Sequence, residues 1–344
     1  MTRIRAIATE SLNLWAEKRY LSFSKAWRVL VRIPTLLANL PAQYAVFQAL
    51  SSCKMRALTF RQPVLPFKYL RENYLLRGLT ISARATALIY NYRYLRDMLR
   101  DDLLSKVLYD RVALYEMLEE NHRYVVDLNI SSPCYNEGEL SLSFKMDDLT
   151  LYLLSFTFVP GEIVGIDAPT VILVSRLQGT YGCYPQIRAA MRALKGLALP
   201  MFLVVVLEGI AEALNIQHFA GIAGSNQHKY SDAKNSALQK IYDNFFTDLG
   251  ATKNVSGFFC TTFPLQEKPL KLVNSCNRSR SKIQRKLKRR VATDVSSFLR
   301  EKRKGNRQGP IPIGNGHPRS LAHQQDTIHF PSLNPLGIQN RLKK

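Results

Sequence analysis

The spacing of apolar positions changes along the chain, and with it the kind of element each segment predicts. In residues 1–120 they recur at three- and four-residue intervals, as at Leu14, Leu21, Ala26, Leu30 and Ile33. That spacing predicts helices, interrupted at Pro34 and Pro41. A basic helical pattern over Tyr74–Arg100 and a more acidic one over Asp101–Glu120 complete a helical N-terminal region. From residue 124 the period shortens. Tyr124–Ile130 is a β-type run, and Glu139–Lys145 alternates apolar and polar as a half-buried strand does. Asp147-Asp148 predicts a hairpin turn into the apolar run Leu149–Val159, and Thr170–Leu177 is another apolar strand. A turn with Gly179 and Gly182 leads to a helix opening at Pro185, where proline suits the first turn. Pro200 opens a second helix, Met201–Leu214. Strand Gln217–Ala223, helix Asp232–Leu249 ending at Gly250, and strand Gly257–Leu265 follow.

Adjacent strands followed by alternating helices and strands predict an α/β (α+β) fold, a mixed sheet with flanking helices. The expected organisation is a helical region over 1–120, an α/β domain over 121–300 ending in a basic helix, and a tail over 301–344. After Lys304 the chain has five Pro, five Gly and one aromatic residue in forty positions. Too little apolar surface is available there to offset the entropy of ordering, so the tail is expected to be disordered.

Charge narrows the partners but not the fold. Forty-eight Lys and Arg against 26 Asp and Glu give +22, which attracts polyanions such as RNA or an acidic membrane surface. Residues 1–100 hold 17 Lys/Arg and 4 Asp/Glu. Their basic helices, with Trp15, Tyr20, Trp27 and Tyr44, read either as a nucleic-acid or membrane-binding face or as core aromatics beneath a solvated face. The densest basic segment is 278–290, with Arg278, Arg280, Lys282, Arg285, Lys286, Lys288, Arg289 and Arg290 and no acid. It is the polyanion-binding candidate, and eight phosphate contacts would make binding steeply salt-dependent. It carries no aromatic for base stacking, so a plain solvated helix end accounts for it equally.

The five scattered cysteines make no CxxC pair and the six histidines no HExxH, so no metal site is expected. Glu10 and Glu17 interrupt the start of the chain and no apolar core of a signal follows, which predicts a cytoplasmic protein with reduced thiols. The most apolar stretch, Gly196–Leu207, falls short of the ~20 residues a spanning helix needs.

Several segments, in order, resemble one bacterial family. Glu137-Gly-Glu-Leu-Ser-Leu142 and the strand Leu151–Phe158 match its paired strands, and Arg176-Leu-Gln-Gly179 its GRxQG element. Ala193–Gly196 with the apolar helix up to Ile216, then Gly221–Tyr230 and Tyr242–Gly250, match three further motifs. The chain thereby resembles the VirK/YbjX family over about residues 60–295. It departs at Ser175, where the family has glycine, at Ala198-Leu199, which replace the arginine side of an Arg-Pro pair, and at Phe246, where it has tryptophan. The resemblance implies a virulence role in Gram-negative enteric bacteria. That role is either post-transcriptional production of an outer-membrane virulence factor or envelope remodelling with resistance to antimicrobial peptides.

The order of elements is also similar to that of the Gcn5-related N-acetyltransferases, whose Q/R-x-x-G-x-G/A loop cradles the coenzyme A pyrophosphate. Gln178, Gly179 and Gly182 imitate that loop, which makes acyl-CoA a candidate cofactor; a tight turn explains the glycines as well. An acyltransferase also needs an acid or base. Glu208, in an apolar helix, and His228 and Tyr230, after a strand, are candidates, against the plainer readings of a solvent-facing carboxylate and a loop decoration. RNA binding through 278–290 is the remaining alternative.

Overall fold

The computed structural model describes residues 33–131, 136–227 and 236–304. The helical patterns before Ile33 and residues 305–344 of the tail expected over 301–344 lie outside the described residues, whereas Glu301 closes the last helix and Arg303 bridges to Leu99. Helices α1 (Ile33–Ala38) and α2 (Leu40–Leu50) follow each other closely. The prolines that interrupt the sequence pattern stand near helix starts, and α2 carries Pro41 in its first turn, because proline lacks only an N–H that has no partner there anyway. α3 (Cys53–Arg61), a 3-10 turn (Leu65–Leu70), α4 (Ile81–Met98) and α5 (Asp101–Tyr109) complete the helical region.

The helical reading of residues 112–119 is overturned: Val112–Glu119 is strand β1. These residues stood in the acidic pattern Asp101–Glu120. Ala113 is exposed between buried Val112 and Leu114, and beyond a bulge at Leu114 the exposed Glu116 and Leu118 alternate with half-buried Tyr115, Met117 and Glu119, which is a strand's two-residue period on either side of the bulge. Glu120 and Asn121 turn the chain in left-handed conformations, φ 51° and 62°, and β2 (His122–Ile130) returns against β1. That two-residue connection is the kind whose twist suits a hairpin. Asp147 and Asp148, at φ 48° and 67°, do the same between β3 (Leu140–Met146) and β4 (Leu149–Val159).

β5 (Val171–Gly179) runs into α6 (Tyr184–Ala193) and α7 (Leu199–Leu214). Then come β6 (His218–Ile222), α8 (Ser236–Asp248), β7 (Thr252–Lys253), β8 (Phe258–Thr262) and α9 (Ser275–Glu301). The eight strands form one open mixed sheet in the order β1-β2-β3-β4-β5-β6-β8-β7. Every neighbouring pair is antiparallel except β5–β6, which is parallel. The two-residue β7 at the edge had no signal in the sequence.

α7 is apolar on nearly all sides because it is covered on two of them. Phe202 packs edge-on against Phe144 of β3, ring centres 5.6 Å apart. On its other side lies α9, whose buried face is Val291, Val295 and Leu299. α4 lies beside β4 past the end of β3, where Asn91 Oδ1 accepts the Phe158 N–H at 3.1 Å. That backbone donor would otherwise be unpaired. Helices α2, α4 and α5 share one hydrophobic core with the sheet. Among the described residues no helix is long and apolar enough to cross a membrane.

Candidate functional site

The single parallel pair is where the sheet opens. β5 is hydrogen-bonded to β4 along its whole length, but to β6 only from Val171 to Val174, opposite His218 to Gly221. Beyond that point β6 ends and the chain turns away through Gly224–Asn226, while β5 continues to Gly179. A crevice at the carboxyl ends of parallel strands is where open α/β sheets place ligands. Here the exposed backbone of β5 is met by one side chain. Tyr242 of α8 accepts the Leu177 N–H and donates to the Leu177 carbonyl, both at 3.0 Å. Burial pushes the Tyr242 hydroxyl above its ordinary pKa, so it stays protonated.

A β-bulge shapes the opposite side. Ser155 pairs with Arg176 and Phe156 with Val174, so Ser175 is the extra residue on β5. Bulges re-aim the side chains around them. Ser175 Oγ donates to the Glu137 carbonyl. Arg176 Nη1 lies 2.8 Å from Glu137 Oε2, with both side chains largely buried. Its Nε and Nη2 also donate to Gln178 Oε1 at 3.1 and 2.7 Å. Burial draws the Arg176 pKa below its ordinary value, yet a guanidinium stays cationic. Gly138 allows this approach: its φ is 140°, and a Cβ there would lie 3.0 Å from Ser175 Oγ and 3.1 Å from the Phe156 nitrogen.

Next to Gly138 stands the most buried ion pair among the described residues. Lys68 Nζ is 2.6 Å from Glu139 Oε1, with side-chain exposures of 3% and 0%. Tyr92 donates to the other carboxylate oxygen at 2.6 Å, and the Tyr74 ring centre lies 5.4 Å from Nζ.

The sequence-predicted cofactor residues do sit at the crevice. Gln178 and Gly179 end β5, and the chain turns through Gly182, at φ 81°, into α6. The start of α6 has no side-chain cap among the described residues; Pro185 brings no N–H and that of Ile187 bonds the Cys183 carbonyl, which leaves the first-turn N–H groups of Tyr184 and Gln186 uncapped. Tyr181 and Tyr184 flank the turn and are exposed.

Glu208 is elsewhere. It lies half-buried on α7, and burial pushes its pKa up to about 7, opposed by the Leu265 backbone and Lys288. Leu265 follows β8, whose Thr262 pairs with His218 at the opposite end of the parallel pair. From Val171 to Gly179 the strand climbs roughly 26 Å, so Glu208 and the glycine turn do not share a site. Glu208 instead adjoins a cleft of about 220 Å³ that includes Leu265, Glu267, Arg285 and Lys288. His228 and Tyr230 lie outside the described residues.

The eight basic residues of 278–290 fall into two groups on α9. Arg285 and Lys288 both pair with Glu267 at 3.3 Å. Arg290 pairs with Asp294 at 3.7 Å, and Arg280 donates to the Gly196 carbonyl. Arg278, Lys282, Lys286 and Arg289 are exposed, with no carboxylate within 4.0 Å among the described residues. No His/Cys/Asp/Glu group able to hold a metal occurs among the described residues.

Sequence reading did not single out Arg176, Glu137, Tyr242, Lys68 or Glu139 as site residues. Arg176, Glu137, Glu139 and Tyr242 stand inside the family-like segments, but their partners are set by folding.

A family described as protein of unknown function (DUF535) matches residues 23–292. The chain belongs to this family, which is the VirK/YbjX family. Comparison with curated proteins and with solved structures finds no match.

Proposed function

From membership of the VirK/YbjX family, we propose that the chain is an accessory factor in producing or remodelling the bacterial surface. Its role would be exercised from the cytoplasm and serve virulence: making an outer-membrane virulence factor or altering the envelope against antimicrobial peptides. Its molecular act, in this reading, is to bind an acyl-CoA at the crevice between β5 and β6 and pass the acyl group to an envelope component.

One observation carries the acyl-CoA reading: β5 and β6 part after Val174 and Gly221, beside the Gln178–Gly182 turn that opens α6. Uncapped N–H groups at a helix start suit a pyrophosphate. Tyr181 and Tyr184 supply exposed rings for an adenine. A pantetheine arm, with its amides, suits the edge of β5 past Val174, where β6 no longer pairs with it, although at Leu177 Tyr242 already meets that edge and the arm would have to replace it there. In the transfer, the thioester C–S bond breaks, the acceptor amine or hydroxyl takes the acyl carbon, and the acceptor's proton ends on the departing thiolate.

Thermal shift of the full chain with coenzyme A, acetyl-CoA and longer acyl-CoAs tests this. Ligand at 100 times its Kd stabilises by about 2.7 kcal/mol, a rise of roughly 5–10 °C for a domain of this size. At Gly182 a Cβ meets nothing within 4 Å, but φ of 81° strains any L residue, so Gly182→Trp is expected to abolish the shift at a cost of about 1–2 kcal/mol in stability, and its melting curve without ligand shows that it still folds. No shift with any thioester removes the acyl-CoA reading.

A further inference from the structure

The outer face of α9 is a second functional surface, independent of the crevice. Arg278, Lys282, Lys286 and Arg289 are spaced four, four and three residues apart, so they form one row on the helix. Val291, Val295 and Leu299, which dock α9 onto α7, occupy the opposite side. At 1.5 Å per residue the row is about 16 Å long and straight. The other four basic residues are already engaged by Glu267, Asp294 or the Gly196 carbonyl. Arg278, at the start of the row, donates to the Val273 and Lys271 carbonyls at 3.0 and 3.4 Å, which leaves its charge unneutralised, and Lys282, Lys286 and Arg289 keep their charge for something outside the chain.

We propose that this face lies flat on an anionic lipid bilayer. A straight, rigid row of four cations matches a plane of headgroup phosphates. Ile283, 55% exposed, stands beside Lys282 and Lys286, and Leu272 is exposed just before the helix. Apolar side chains on a basic face are what an interfacial helix sets into the headgroup layer. RNA is the less favoured partner. The face bears no aromatic residue between Ser275 and Arg290, and single-strand recognition relies on base stacking.

The experiment is co-sedimentation of the full chain with vesicles of phosphatidylcholine alone and of phosphatidylcholine mixed with phosphatidylglycerol, at low and high salt. Each Lys or Arg near such a surface is worth roughly a fivefold change in partition. The triple variant Lys282→Gln, Lys286→Gln, Arg289→Gln is thus expected to lose about 100-fold binding to the anionic vesicles, with an unchanged melting temperature. Ile283→Ser lowers binding further without changing net charge. A control removing equal charge elsewhere, Lys106→Gln with Arg188→Gln and Arg192→Gln, is expected to lose much less. Equal losses from the two triples would overturn the proposal in favour of bulk charge. Undiminished vesicle binding, with loss of binding to single-stranded RNA on filters, would overturn it in favour of RNA. Because the row Lys282, Lys286 and Arg289 includes none of the crevice residues, failure here leaves the acyl-CoA thermal shift untouched, and the reverse also holds.

Discussion

Lys68 and Glu139 allow a quantitative test of how the helical region is tied to the sheet. Lys68 stands on the 3-10 turn after α3 and Glu139 immediately before β3, and their charges meet at 2.6 Å with almost no solvent contact. Tyr92 takes the remaining carboxylate oxygen at 2.6 Å, so both oxygens have donors. Lys68→Met leaves a buried carboxylate facing a methyl group, and Glu139→Leu leaves a buried ammonium without its counter-charge. Breaking a buried pair from one side costs about 3–5 kcal/mol, a fall of roughly 6–20 °C in Tm for a domain of this size. Replacing both together, Lys68→Met with Glu139→Leu, removes the stranded charge. That double variant is expected to recover most of the loss, short of about 1–3 kcal/mol for the Tyr92 hydroxyl left alone. Denaturant unfolding of the four proteins gives the coupling directly. If the two single losses simply add in the double variant, with coupling under about 0.5 kcal/mol, the pair is not what holds this junction.

Two further outcomes follow from the same geometry. Tyr242→Phe strips Leu177 of both its partners at 3.0 Å, and leaving buried backbone groups unpaired is expected to lower unfolding free energy by about 1–3 kcal/mol; saturating acyl-CoA should restore more of that loss than in the parent. Glu208 is raised from 4.5 to about 7 in the fold, so its ionisation opposes folding. The cost is absent in acid, grows as pH rises through that interval, and is complete above it. The full shift corresponds to about 3 kcal/mol, reduced to about 1–2 by its partial exposure. Glu208→Gln is therefore expected to match the parent near pH 4 and exceed it in stability at pH 8; equal curves at both pH values would refute the assignment.

How far the fold could be read in advance depended on whether the signal was local. The β3–β4 hairpin was legible because the alternation of Glu139–Lys145 and the Asp147-Asp148 turn are both short-range. α6 and α7 were legible because Pro185 and Pro200 mark their first turns. β1 was not, since its acids imitate a helix and its alternation only matters once β2 pairs with it. Gly221 and Gly224 stood in a family-like segment with no role of their own, and the structure gives them a packing reason. A Cβ at Gly221 would lie 2.3 Å from the Phe246 ring, and one at Gly224 2.4 Å from the Gln239 backbone. Within the site, the glycine turn was legible and the charges around it were not. Arg176 meets Glu137 across 39 positions of chain, and Lys68 meets Glu139 across 71; no spacing rule reaches that far. On α9 the sequence supplied eight equivalent cations, and only the fold's pairings with Glu267, Asp294 and the carbonyls of Gly196, Val273 and Lys271 set five of them apart from Lys282, Lys286 and Arg289.

The pairings also explain why a helical region precedes the sheet. Residues Glu137–Glu139 are three consecutive positions with three different duties. Glu137 reaches Arg176 beside the crevice, Gly138 presses onto the bulge, and Glu139 is anchored by Lys68 and Tyr92 from the helical layer. A buried, fully paired carboxylate tolerates little displacement, because any shift strands a charge in a medium of low dielectric. The anchor therefore fixes Gly138, Gly138 fixes the bulge at Ser175, and the bulge sets the direction in which Arg176 leaves β5. Without α4 and the 3-10 turn, β3 and β4 would still pair, but Glu137 would be held only by the Ser175 hydroxyl on its carbonyl. The guanidinium would then rest mainly on Gln178. On this reasoning the helical layer acts on the crevice through a single residue-by-residue chain, and weakening Lys68 should be felt at Gln178 before it is felt at β1.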